Sequence, residues 1–156
     1  MNNTILFETI SSSIKTLEIN EISEQRKDIL KPLIDYLKGK IEADKPIRLN
    51  FICTHNSRRS HLSQIWAQTM AAYYNINNVS CYSGGTEATA MFPKIGETLT
   101  NQGFSINKLS EGKNPVYSIK FSENEPPVIA FSKQFSCDFN PTSEFAAIMT
   151  CSSADK

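Results

Sequence analysis

Cys53 and Arg59 are separated by five intervening residues in the stretch Arg48-Leu49-Asn50-Phe51-Ile52-Cys53-Thr54-His55-Asn56-Ser57-Arg58-Arg59-Ser60-His61-Leu62. The stretch opens as an apolar, strand-like run and closes as the first turn of a helix. Free backbone N–H groups and the helix dipole converge where a strand empties into a helix N-terminus, which makes that junction an anion site. A cysteine at the start of such a loop has its thiolate stabilised, and the thiolate is the nucleophilic form of the side chain. An arginine at the end supplies a planar fork matched to a tetrahedral oxyanion. Asn56 can take the left-handed backbone conformation that a cradle needs, and Ser60 can hydrogen-bond the thiolate. The chemistry this implies is attack by the Cys53 thiolate on a bound phosphate-like anion.

The elements that must hold this loop can be read from the flanking pattern. Residues 47–52 form a largely apolar run suited to a buried parallel strand. Leu62, Ile65, Trp66, Thr69, Met70 and Tyr73 then give one apolar stripe on a helix from Ser60 to about Tyr74. Val79-Ser80-Cys81-Tyr82-Ser83 reads as a second strand closed by Gly84-Gly85. Strand, helix and strand in about forty residues make a βαβ unit and imply a parallel sheet. Residues 93–102 read as another helix stopped by Gly103. Residues 116–121 and 128–131 read as a β-hairpin inserted at about 113–141. Residues 145–150 read as the third parallel strand, which delivers Cys151 at its C-terminal end. Ligands in open α/β sheets bind outside the carboxyl ends of the strands. Cys53, Ser83-Gly84-Gly85 and Cys151 all stand at such ends, and this topology can bring them to one rim.

Residues 1–46 read as a helical extension. Leu6, Ile10, Ile14 and Leu17 recur at helical spacing after a possible Asn3 cap. A second amphipathic segment starts near Ser23 and is expected to bury Ile29, Leu30, Leu33, Ile34 and Leu37. Pro32 should bend or divide it, and Gly39 and Asp44-Lys45-Pro46 should end it. No chemistry is visible in this extension.

Composition narrows the function classes. The chain of 156 residues favours a single α/β core, with 40% hydrophobic and 21% charged residues as in an ordinary globular protein. Lys+Arg and Asp+Glu balance at 16 each, so no global field recruits nucleic acid or an anionic membrane, and anion binding must be local. With no membrane-length apolar run and no signal-like N-terminus, the expectation is a cytoplasmic protein. Cys53, Cys81, Cys137 and Cys151 fit no zinc spacing, and with two histidines no metal site is expected. Cys81 reads as core and Cys137 as a bystander beside Asp138. Trp66 reads as core and His61 as a surface residue, and packing accounts for Tyr73 and Tyr74.

Three blocks carry a resemblance. Cys53-Thr54-His55-Asn56-Ser57-Arg58-Arg59-Ser60 resembles the catalytic loop of the low-molecular-weight protein tyrosine phosphatases and the thioredoxin-coupled arsenate reductases. Tyr82-Ser83-Gly84-Gly85-Thr86-Glu87-Ala88, followed by Pro93, is similar to the second-strand block of that superfamily. Thr150-Cys151-Ser152-Ser153-Ala154-Asp155 resembles the redox segment of the reductase branch. The resemblance covers residues 47–156 apart from the hairpin, and implies a three-layer α/β fold with a central parallel sheet.

It further implies Cys53 as nucleophile and Arg59 as oxyanion clamp. Asn56 would hold the loop shape and Ser60 the thiolate, with Thr54, His55, Ser57 and Arg58 completing the oxyanion-binding cradle. In the reductase branch Cys151 resolves a Cys53–arsenic adduct, and thioredoxin or another external thiol reduces the resulting disulfide; no other cofactor is implied. In the phosphatase branch the intermediate is a phosphocysteine. The sequence departs from the family at His55, usually a small residue, and at Arg58, often a second cysteine; Arg58 is expected to face solvent. It also has no Asp-Pro pair, the family's source of a general acid, and no third cysteine after Cys151. The resemblance therefore implies a chain without the family's last strand and helix. A strand at 145–150 would then be a sheet edge, and an oxyanion-binding domain without turnover becomes a third expectation.

Overall fold

The computed structural model describes residues 4–155. Its centre is β1 (Ile47–Cys53), hydrogen-bonded on one side to β2 (Val79–Gly85) and on the other to a late strand, Ala146–Met149. Both pairings are parallel, with Cys53 opposite Gly85 and Ile52 opposite Met149. Helices flank this sheet, and the fold is α/β as the strand–helix–strand pattern implied.

The helix that follows β1 is Arg59–Tyr73. Two helices precede β1, so in chain order they are α1 (Glu8–Lys15) and α2 (Glu24–Glu42), and Arg59–Tyr73 is α3. α4 (Pro93–Asn101) follows β2 and stops at Gly103, whose φ of 102° is a left-handed value that suits glycine. A second, antiparallel sheet comprises β3 (Ser105–Lys108), β4 (Tyr117–Lys120) and β5 (Val128–Ala130). The expected hairpin is the β4–β5 pair. The sequence reading missed β3, whose four residues are mostly exposed and polar and so lack strand periodicity. The late strand is β6.

α3 lies between two cores. Ile65 joins Ile10, Leu99, Phe104, Ile119 and Val128 in the larger one. Ala67 faces the smaller one, where Leu49, Phe51 and Cys81 of the parallel sheet meet Leu33 and Leu37 of α2. Full burial of each such side chain contributes roughly 1.5–3 kcal/mol, so α3 is clamped from both sides and its first turn is a rigid platform.

The N-terminal extension departs from expectation in four respects. α1 begins only at Glu8; Leu6 instead makes an antiparallel bridge to Ser122, and Leu17 lies beyond the helix in solvent. The proposed Asn3 cap lies outside the described residues. α2 is capped by Ser23, whose hydroxyl accepts from Arg26 N–H at 3.2 Å, and it runs unbroken through Pro32 and Gly39. Ile29 and Ile34 are exposed while Leu30, Leu33 and Leu37 are half-buried, so one stripe of the helix meets the sheet rather than a broad face.

The outer edge of β2 is closed by side-chain amides and, at Gly85, by a parallel backbone bridge to Gln134. Gln68 accepts from Cys81 N–H at 2.9 Å and donates to Val79 O at 3.0 Å. Gln64 donates to Cys81 O, and Asn140 to Ser83 O, each at 3.0 Å. β6 is the opposite edge. No helix of the described residues is long and apolar enough to cross a membrane.

Candidate functional site

The loop between β1 and α3 is held from outside by its carbonyl groups. Thr86 N–H donates to Cys53 O, Glu87 N–H to Thr54 O and Phe92 N–H to Ser57 O. The hydroxyls of Ser132 and Thr89 both donate to His55 O, at 2.9 and 3.1 Å. Carbonyls drawn outward leave the N–H groups facing the hollow of the loop, as an anion cradle requires. Asn56 supplies the bend, with φ of 43°. Gly85 lets the second strand close on the loop: a Cβ there would lie 2.5–2.7 Å from Glu87 O, Asn56 N and Thr54 O. Gly84 is equally constrained, against the Phe135 backbone at 2.4 Å.

Cys53 sits at the base of the hollow, only 3% exposed. Its Sγ lies 3.1 Å from Ser60 Oγ, and Ser60 Oγ accepts from Asn56 Nδ2 at 2.8 Å. With one Ser60 lone pair engaged by Asn56, the Ser60 hydroxyl is placed to donate to the sulfur when Cys53 is a thiolate. Asn56 is in turn oriented by Lys133 N–H, which donates to its Oδ1 at 2.9 Å. A chain of bonds thus runs from the backbone after β5, through Asn56 and Ser60, to Cys53. Burial by itself would raise the Cys53 pKa. The hydrogen bond from Ser60 and those from the N–H groups of Ser60, Ser57 and Asn56 outweigh it, and the thiol is held below its ordinary value.

Cys151 lies two residues past the end of β6, and continuing the register of Ile52 with Met149 sets it beside Thr54. Thr150 N–H donates to Ile52 O at 2.8 Å, and the Cys151 Sγ lies 3.6 Å from Thr54 Oγ1. Adjacent strands run about 4.8 Å apart, so the two thiols stand at neighbouring strand ends on one rim. Both are free. The Thr54 hydroxyl and the Arg59 charge lower the Cys151 pKa.

The remaining expected residues fall into place unevenly. Arg59, the first residue of α3, is exposed, makes no ion pair among the described residues, and lines a cavity of about 700 Å³ together with Cys151. Arg58 is exposed, as expected, and its guanidinium covers the Phe92 ring at 5.3 Å. His55 is an exposed rim residue with Nε2 3.6 Å from Glu87 Oε2. Ser57 is tied down through its hydroxyl, which donates to Ala90 O at 2.7 Å.

His61 is not on the surface. It is 0% exposed, with Nδ1 3.4 Å from Ser83 Oγ, because the first turn of α3 faces inward at this position. Burial and then the nearby Lys133 charge push its pKa down to about 3, so it is neutral at ordinary pH. Cys81 is buried as expected, its thiol pushed up to about 12 by desolvation. Trp66 packs half-buried against the larger core.

Sequence reasoning missed Ser132 and Lys133, which brace the loop from 77 positions away. It also missed Arg26, which projects from α2 into the cavity shared by Arg59 and Cys151, and Asp155 on the same wall. None carries a local pattern; only tertiary placement joins them to the loop. Among the described residues no group of three His, Cys, Asp or Glu side chains converges as metal ligands would. Comparison with models of protein families, with curated proteins and with solved structures gives no match.

Proposed function

We propose that the chain is a cysteine-dependent, arsenate reductase-like enzyme of the low-molecular-weight phosphatase type. The observation that carries this reading is a pair of free thiols at one rim, Cys53 inside an inward-facing N–H loop beside Ser60 and Cys151 against Thr54. Arsenate occupies the loop, its charge met by the N–H groups of Asn56, Ser57 and Ser60 and by Arg59. The Cys53 thiolate attacks arsenic, an S–As bond forms, and one arsenate oxygen leaves as water after protonation. The Cys151 thiolate then attacks Cys53 Sγ. The S–S bond forms, the S–As bond breaks, and its electron pair stays on arsenic, which leaves as arsenite. An external dithiol such as thioredoxin returns both cysteines to the thiol state.

Arsenate reduction coupled to thioredoxin or dithiothreitol tests this directly. Activity is expected in the wild type and absent from Cys53→Ser and from Cys151→Ser. Reduction that survives Cys151→Ser unchanged removes the redox role of that residue.

A second reading, hydrolysis of phosphate monoesters through phosphocysteine, is favoured by Asp155, a carboxylate on the cavity wall shared with Arg59. A general acid contributes about a hundred- to ten-thousand-fold to ester cleavage, and arsenate reduction does not need one at that level. Rapid-quench mass spectrometry with an aryl phosphate decides it: a phosphate adduct on Cys53 supports hydrolysis, and an unmodified Cys53 counts against it. Phosphate binding with neither turnover would leave an oxyanion-binding domain.

A further inference from the structure

Beside the loop, α2, α3 and β6 line an open cleft of about 700 Å³ whose walls include Arg59 and Cys151. This lies well within the 300–1,000 Å³ of ligand pockets generally. It is also far larger than a bare tetrahedral anion requires, since one water accounts for about 30 Å³ of liquid. Its walls are of two kinds. Leu30 and Leu33 of α2 and Ile148 of β6 offer an apolar surface, and Arg26 and Arg59 bring two guanidinium groups from different helices. Arg26 forms no ion pair among the described residues, and its side chain plays no part in the α2 cap, which uses its backbone N–H.

We propose that this cavity is a subsite for the body of an organic oxyanion. The ligand class is a monosubstituted tetrahedral anion, a phosphate monoester or an arsonate, whose apolar body lies on Leu30, Leu33 and Ile148 and whose second negative group is held by Arg26. The proposal rests on the loop at Cys53 as the site of the tetrahedral head. It gives the N-terminal extension a role in specificity, because α2 supplies both the apolar wall and the second cation. Arg26 is a specificity-determining residue here and takes no part in the chemistry.

The test is calorimetric titration of the full chain with three stable probes: inorganic phosphate, phenylphosphonate and 4-carboxyphenylphosphonate. Phenylphosphonate is expected to bind about tenfold tighter than phosphate, from burial of part of its ring. The carboxylate should add about a further fivefold, a value suited to a solvent-accessible ion pair. Arg26→Ala should remove that last increment, Arg26→Lys should keep part of it, and neither should alter phosphate affinity. Arg26 is exposed on the first turn of α2, so both variants retain the fold, which circular dichroism checks. Phosphate binding with no preference for the aryl probes, or with a preference insensitive to Arg26, overturns the subsite and leaves the loop reading intact. Arg26-dependent binding of the carboxylated probe with no phosphate binding overturns the loop reading and, with it, the placing of the tetrahedral head on which the subsite rests. Failure of all three probes to bind overturns both.

Discussion

The chemistry of Cys53 depends on a contest between burial, which raises its pKa, and four hydrogen bonds, which lower it. Of the four, Ser60 Oγ is the one a mutation can remove. A hydrogen bond to a charged group favours the charged form, so Ser60→Ala should raise the Cys53 pKa. The rate of iodoacetamide alkylation against pH reads this, and an unshifted midpoint would show that the backbone N–H groups suffice. Lys133 and His61 form a second pairing of consequence. His61 is neutral in the fold, with its pKa lowered from 6.5 to about 3. The unfolded chain therefore binds the extra proton between those values, and the contribution of His61 to stability is present above pH 6.5 and is lost progressively as pH falls towards 3. The full shift amounts to about 5 kcal/mol at most. Between pH 6.5 and 5, above the range of ordinary carboxylates, denaturant stability of the wild type should fall. The slope should flatten in His61→Gln; equal slopes in the two proteins would count against a neutral buried imidazole.

At the scale of elements, β1, β2, β6 and α3 were legible in the sequence because the strands are short apolar-rich runs between turn signals and α3 has helical apolar spacing. β6 is nevertheless a half-exposed edge, and Tyr73 and Tyr74, expected to pack, are exposed. α2 was misread in its depth, since a periodic pattern fixes which residues share a face but not how closely that face is approached. β3 gave no signal because only pairing with β4 defines it. His61 was misplaced because a histidine one residue past the loop reads alike whether the helix turn faces out or in. The closing of β2 by Gln64, Gln68 and Asn140 was invisible as well, since glutamines on a helix normally face water. Gln68→Ala would leave Val79 O and Cys81 N–H unpaired on a strand edge. A loss of about 1–3 kcal/mol in chemical denaturation is expected, with added aggregation. Unchanged stability would mean that water replaces the amide without cost.

Across the whole molecule, the loop, the rim and the cavity are assembled from segments that are distant in the chain. β1 and α3 supply the proposed nucleophile and the loop around it, the segment after β2 holds the carbonyls, and the backbone after β5 orients Asn56. β6 brings Cys151, and α2 brings Arg26. The first of these was readable as a local motif, and Cys151 as a strand end; the braces and Arg26 were not, because contacts across tens of residues leave no periodic trace. The central claim is that Cys53 and Cys151 act in one redox cycle on a bound oxyanion. It is tested most directly by treating the reduced full chain with arsenate in the absence of any reductant, then alkylating and mapping the cysteines by mass spectrometry. A Cys53–Cys151 disulfide formed with one equivalent of arsenite, and suppressed by excess phosphate, is the predicted result. Both thiols fully alkylated after arsenate, with no arsenite released, would contradict it.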